Sequence, residues 1–132
     1  VAGAGAGADV TLVGVDVTMH CTAGPDHLAR LEAAATPHGR FAAAMCRFYV
    51  DFYEQAYGRR LLTLHDPLAA MVAVGADVDA TFRTGRCVVE GPAGAERAVL
   101  AGDGDTRALA SASSHAAAEE MITSLERPLP RR

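Results

Sequence analysis

The chain contains no Lys, no Trp and no Asn, and its aromatic side chains amount to four Phe and three Tyr in 132 residues. Without Lys there is no amine for a Schiff base and no P-loop lysine to reach a phosphate. All 12 basic residues are Arg, against 16 acidic ones, so the net charge is −4. That balance gives no electrostatic reason to bind nucleic acid or an anionic membrane. No apolar run approaches the roughly 20 residues of a membrane span. Cys21, Cys46 and Cys87 are odd in number and lack any C-x-x-C spacing, which argues against a disulfide framework or a closed zinc site. Small thiols in a reducing, cytoplasmic setting are the expectation. His20 and Cys21 are adjacent, so on a strand they point to opposite faces and do not readily share a metal.

Half of the residues are hydrophobic, enough for the core of one small domain or of a piece of a larger one. The opening, Val1-Ala2-Gly3-Ala4-Gly5, has no Met and none of the basic-then-apolar order of a secretory signal. It reads as the start of a fragment, with residues 1–8 a linker or the frayed end of a helix. Val10 to Thr18 is almost continuous in β-formers and reads as a strand covered on both faces, as in a parallel α/β sheet. Asp16, near its end, is either a strand-end polar residue or one that faces a ligand.

Thr22-Ala23-Gly24-Pro25-Asp26 carries turn and cap chemistry ahead of a short helix from His27 to Ala35, which Thr36-Pro37-His38-Gly39 breaks. A longer helix is expected from Arg40 to Tyr57, with Phe41, Met45, Phe48 and Phe52 as its core stripe and Gly58 as its C-cap. Tyr49, Tyr53 and Tyr57 line a second face, where packing and ligand contact are both open readings.

Leu64-His65-Asp66-Pro67 sets an imidazole beside a carboxylate where a connector becomes an apolar helix, residues 67–75. Asp before Pro at a helix start is first of all a cap. Asp77 and Asp79 read as loop carboxylates. Arg86–Glu90 and Arg97–Ala101 read as an antiparallel hairpin. Gly102-Asp103-Gly104-Asp105 reads as a tight turn, too short for an EF-hand loop. Ala108–Ser113 reads as a last strand, and Ser114 as the cap of a helix to Glu126 that Pro128 and Pro130 stop.

Taken together, Val13-Gly14-Val15-Asp16-Val17-Thr18, Phe48-Tyr49, Leu64-His65-Asp66-Pro67-Leu68-Ala69 and Val88-Val89-Glu90 stand in an order and spacing that resembles the inosine-uridine-preferring nucleoside hydrolases. The likeness covers nearly the whole chain but only the C-terminal portion of that family. It implies an α/β fold, part of a Rossmann-like open sheet flanked by helices, with the N-terminal half missing. Residues 1–132 would then be the C-terminal part of a single domain, ending in a tail at 127–132.

The resemblance also implies a ribonucleoside substrate, a bound Ca2+, and hydrolysis of the N-glycosidic bond to ribose and a free base. His65 would be catalytic, protonating the base as it leaves. Asp66 would be a metal ligand, and Tyr53 and Tyr57 would contact the base. A homo-oligomer, dimer or tetramer, is expected of the intact protein. The family's D-x-D-x-x-x-D-D cluster and its ribose-gripping Asn segment have no counterpart here, and Glu96-Arg97-Ala98 replaces the Thr-Arg-Gly segment of many members. Two readings follow: an enzyme fragment that is inactive alone, or a non-catalytic structural or interaction remnant.

Overall fold

The computed structural model describes residues 9–130; the linker reading of residues 1–8 lies outside them. In chain order the elements are β1 (Thr11–Leu12), α1 (Val15–Thr18), β2 (Thr22–Ala23), α2 (Pro25–Glu32), α3 (Pro37–Tyr57), β3 (Leu62–Thr63), α4 (His65–Val74), β4 (Thr81–Glu90), β5 (Arg97–Ser111) and α5 (Ser114–Glu126). A three-stranded sheet runs β1-β5-β4, with β1 parallel and β4 antiparallel to β5, and β2 pairs with β3 in a separate two-stranded ladder. The result is an open α/β arrangement with helices packed beside the strands. No helix among the described residues is long and apolar enough to cross a membrane.

The expected strand over residues 10–18 is replaced by a strand of two residues followed by a one-turn helix. Gly14 takes an extended backbone as the N-cap of α1, and a Cβ there would run into the Asp16 carboxylate. The turn still buries Val17 and Thr18, so the apolar run serves the core through a helix rather than a ladder. Asp16 lies exposed in the first turn of that helix, not at a strand end.

Thr36-Pro37-His38-Gly39 separates two helices as expected, but it is also the start of the second. The Thr36 hydroxyl accepts the Gly39 N–H at 3.1 Å, and Pro37 takes the first helical position, where no N–H is needed. Gly39 is buried where a Cβ would come within 2.9 Å of Leu125 O and 2.7 Å of Ala34 Cβ.

The core stripe of α3 is corrected. Phe41, Met45, Phe48 and Phe52 are 69%, 54%, 74% and 53% exposed. The face turned inward is Gly39, Ala43 and Val50, with Ala43 packed against Leu31 and Ile122 and Cys46 beside them. Both stripes recur at helical spacing, and the small one wins because it lets the α3 backbone come close to α2 and α5.

The main core gathers Leu64, Leu68, Met71, Val78, Leu109, Ala117 and Ala118 between α4, α5 and the sheet. Gly75 closes α4 at φ 72°, a left-handed conformation that costs glycine little. The hairpin of β4 and β5 forms as expected, with Val88 opposite Val99. Gly102–Asp105, however, is no turn between strands. It bulges within a single β5, between the pairs Arg86–Ala101 and Gly85–Thr106. Ser113, not Ser114, caps α5 by accepting the Ala116 N–H at 3.2 Å.

Candidate functional site

The His-Asp corner is built by the small ladder. Thr22 pairs with Thr63 and Ala23 with Leu62, and the Leu64 N–H donates to Cys21 O at 2.9 Å just past the pairing. Ser114 fastens the same ladder to α5: its hydroxyl accepts the Thr22 N–H at 2.9 Å and donates to Thr22 O at 3.3 Å. Leu64 and Leu68 on either side of the corner are fully buried and anchor it to the core. Burying a leucine contributes about 2 kcal/mol.

Helix α4 starts two residues earlier than expected, with Leu64 in the cap position and Asp66 in the first turn. Asp66 therefore does not cap the helix by side chain, and its carboxylate is exposed. An acidic group in a first turn is still favoured by the helix dipole.

His65 is half-buried and held from below. Its Nδ1 lies 2.7 Å from Oγ1 of Thr18, a side chain 3% exposed at the end of α1. No hydrogen bond to Nε2 is found among the described residues. A buried hydroxyl at that distance fixes the orientation of the ring and leaves Nε2 as its free end. Thr18 escaped the sequence reading; a hydroxyl inside an apolar run was its only signal.

A hollow of about 710 Å³ opens beside this pair. Thr18, Thr63, His65, Asp66, Tyr53, Tyr57 and Arg59 are among the residues that line it. The Tyr53 and Tyr57 rings lie 5.4 Å apart at 40°, with Tyr53 half-buried and Tyr57 66% exposed. The four residues singled out in the sequence, His65, Asp66, Tyr53 and Tyr57, thus line one space. Asp16 does not line it.

A second, more apolar groove of about 600 Å³ runs between α3, α4 and α5 and meets the first at His65 and Asp66. A cavity of about 110 Å³ between α2 and α3 lies apart from the corner; it is well below the roughly 300 Å³ at which ligand pockets begin.

Asp66 is the one carboxylate among the described residues that line the hollow. Calcium takes six to eight oxygen ligands, so these residues do not make a calcium site by themselves.

An open α/β fold with a buttressed imidazole, an adjacent carboxylate and aromatic rings lining one hollow makes a candidate small-molecule site. The profile of the inosine-uridine preferring nucleoside hydrolases matches residues 1–125, and the chain belongs to that family. It is 32% identical over 84 residues to uridine nucleosidase 1 of Arabidopsis thaliana, a match covering 64% of this chain and 25% of that protein. Identity is also 32% over 84 residues to a probable uridine nucleosidase 1 of Oryza sativa subsp. japonica, covering 64% and 26%.

Among solved structures, a plant nucleoside hydrolase superposes with a TM-score of 0.79 at 20% identity, over 92% of this chain and 42% of that one. A purine-preferring ribonucleoside hydrolase from Gardnerella vaginalis gives 0.76 at 26% identity, over 91% and 40%. The matched stretch spans about a quarter of the length of the curated relatives.

Proposed function

We propose that this chain forms the base-facing part of a ribonucleoside hydrolase that cleaves the N-glycosidic bond to ribose and a free nucleobase. The observation that carries the reading is the corner itself: His65 held by Thr18, lining one hollow together with Asp66, Tyr53 and Tyr57. Cleavage of such a bond develops positive charge on the sugar and negative charge on the departing base, so an acid at the base is useful. With the Thr18 hydroxyl donating to Nδ1, neutral His65 carries its proton on Nε2 and donates a hydrogen bond from there to the departing base, stabilising its developing negative charge. Tyr53 and Tyr57 supply aromatic faces against which a planar base stacks.

Asp66 would contribute one oxygen to a calcium ion whose remaining ligands lie outside this chain. Bound there, calcium would supply charge that lowers the pKa of a water. The described residues that line the hollow supply neither that ligand set nor a second carboxylate to act on the water, so the chain by itself is expected to show no turnover. The relatives' names point to pyrimidine and purine ribonucleosides as the substrates to try. The intact protein is expected to be a cytoplasmic homo-oligomer that acts in nucleoside salvage.

The test is hydrolysis of inosine and uridine by the intact protein, with and without a calcium chelator. Turnover should vanish on metal removal and return with calcium. His65→Ala should lower kcat more than it raises KM. Undiminished activity after thorough calcium removal would sink the metal assignment, and robust hydrolysis by the 132-residue chain would overturn the division of labour. A non-catalytic interaction module is the second reading, favoured by the apolar face that α3 turns outward. It predicts no hydrolysis by the intact protein.

A further inference from the structure

A second group of chemically capable side chains lies between α2 and α5, away from the His65 corner. His27 stands in the first turn of α2. His115 and Glu119 are four residues apart on α5, so they share one helix face. One ligand atom from each of the three lies within 4.8 Å of the other two. His27 Nε2 is 3.2 Å from a Glu119 oxygen, and the two imidazole rings are 6.3 Å apart and inclined at 59°.

We propose that His27, His115 and Glu119 bind a borderline transition-metal dication such as Zn2+, clamping α2 to α5. Two imidazoles and one carboxylate are a ligand set zinc uses when it keeps an open position for water. With bonds of about 2.0–2.2 Å at tetrahedral angles, two ligand atoms on one zinc lie roughly 3.4 Å apart. The His27–Glu119 pair already stands at that separation. His115 is exposed, so its ring is free to turn the remaining distance.

Two neighbours oppose the ion and set its affinity. Arg30 donates from Nη1 to both Glu119 oxygens at 2.8 Å, and that hydrogen bond holds the Glu119 carboxyl below its ordinary range. The carboxylate has lone pairs for both partners. Arg30 can stay on Oε2, and on Glu126, which it also binds at 2.9 Å, while Oε1 turns to the metal. His27 Nδ1 accepts a long bond from the Gly24 N–H at 3.4 Å. Coordination through Nε2 requires a proton on Nδ1 and gives up that bond. Micromolar affinity is the expected outcome, well short of a closed structural zinc site.

The test uses the untagged 132-residue chain, titrated near neutral pH with Zn2+ against a chromophoric chelator and with Co2+ by absorption. One equivalent should bind with a cobalt spectrum of nitrogen and oxygen ligands and no thiolate band. His115→Ala and Glu119→Gln, each confirmed folded by circular dichroism, should weaken binding by about tenfold or more. Cys46→Ser with Cys87→Ser should leave it unchanged. Zn2+ should raise the melting midpoint of the parent chain and not that of His115→Ala. Absence of saturable binding, a thiolate band, or unchanged affinity in both ligand variants would overturn the site.

Discussion

Replacing Thr18 by Val tests whether the corner is held together as its geometry indicates. Valine keeps the branched shape of threonine and removes the hydroxyl, so the packing of a side chain that is 3% exposed is nearly preserved. What is lost is the 2.7 Å bond to His65 Nδ1. A hydrogen bond of this kind contributes about 1 kcal/mol net, and leaving a half-buried nitrogen unpartnered adds to that. The expected destabilisation is therefore about 1–2 kcal/mol, a shift in melting midpoint of roughly 3–8 °C for a chain of this size.

The orientational effect is more diagnostic. Nitrogen chemical shifts of the His65 ring should report a single tautomer, protonated at Nε2, in the parent chain and a mixture in Thr18→Val. Thr18→Ser, which restores the hydroxyl, should recover the parent pattern. In the intact protein the valine variant should lower kcat with little change in KM. If Thr18→Val leaves both the melting midpoint and the His65 ring shifts where they were, the hydroxyl does not hold the imidazole and the reasoning fails.

Two other expectations follow from packing and charge. Gly39→Ala places a methyl within 2.9 Å of Leu125 O and 2.7 Å of Ala34 Cβ, so α3 must move away from its neighbours. A loss of about 1–3 kcal/mol is expected in urea unfolding, although alanine is the better helix former. The Glu119 carboxyl is held below its ordinary range, first by the hydrogen bond from Arg30. A depressed carboxyl adds stability that is present above its unfolded pKa of about 4.3 and lost as pH falls through the folded value. Arg30→Gln should accordingly flatten the acid limb of a stability–pH curve below about pH 4 while changing little of its slope near neutrality.

Much of the corner was legible because its signals are local. His65-Asp66-Pro67 at the head of an apolar helix, and tyrosines four apart on the preceding helix, are patterns of type and spacing that survive folding. Thr18 was not, because its partner lies 47 positions away and a lone hydroxyl in an apolar run does not say what it pairs with. The two stripes of α3 show a different limit. Periodicity establishes that a helix has faces, but whether Phe41 and Phe48 or Ala43 and Val50 turn inward depends on how close the neighbouring helices come. The run at 10–18 misled for a related reason: β-branched residues favour strands on average, yet Gly14 and Asp16 start a helix turn there. Gly102–Asp105 carried every sign of a turn, and the cross-strand pairing with β4 turned it into a bulge. Arg30, His27 and Glu119 come together only because α2 and α5 pack side by side.

The bulge in β5 also divides one strand into two unlike halves. On the near side, Thr106 and Leu109 are buried, and β5 lies between β1 and β4. On the far side, residues 86–90 and 97–101 form a ribbon of two strands in which none of these residues is buried. A two-stranded ribbon with no fully buried residue is marginal in water, so its amides should exchange with solvent long before those around Leu109. Gly102, at φ 57°, supplies the left-handed backbone at which the pairing shifts register between the two halves. A loosened or clipped ribbon would therefore leave the buried half of β5, and the ladder beneath His65, standing.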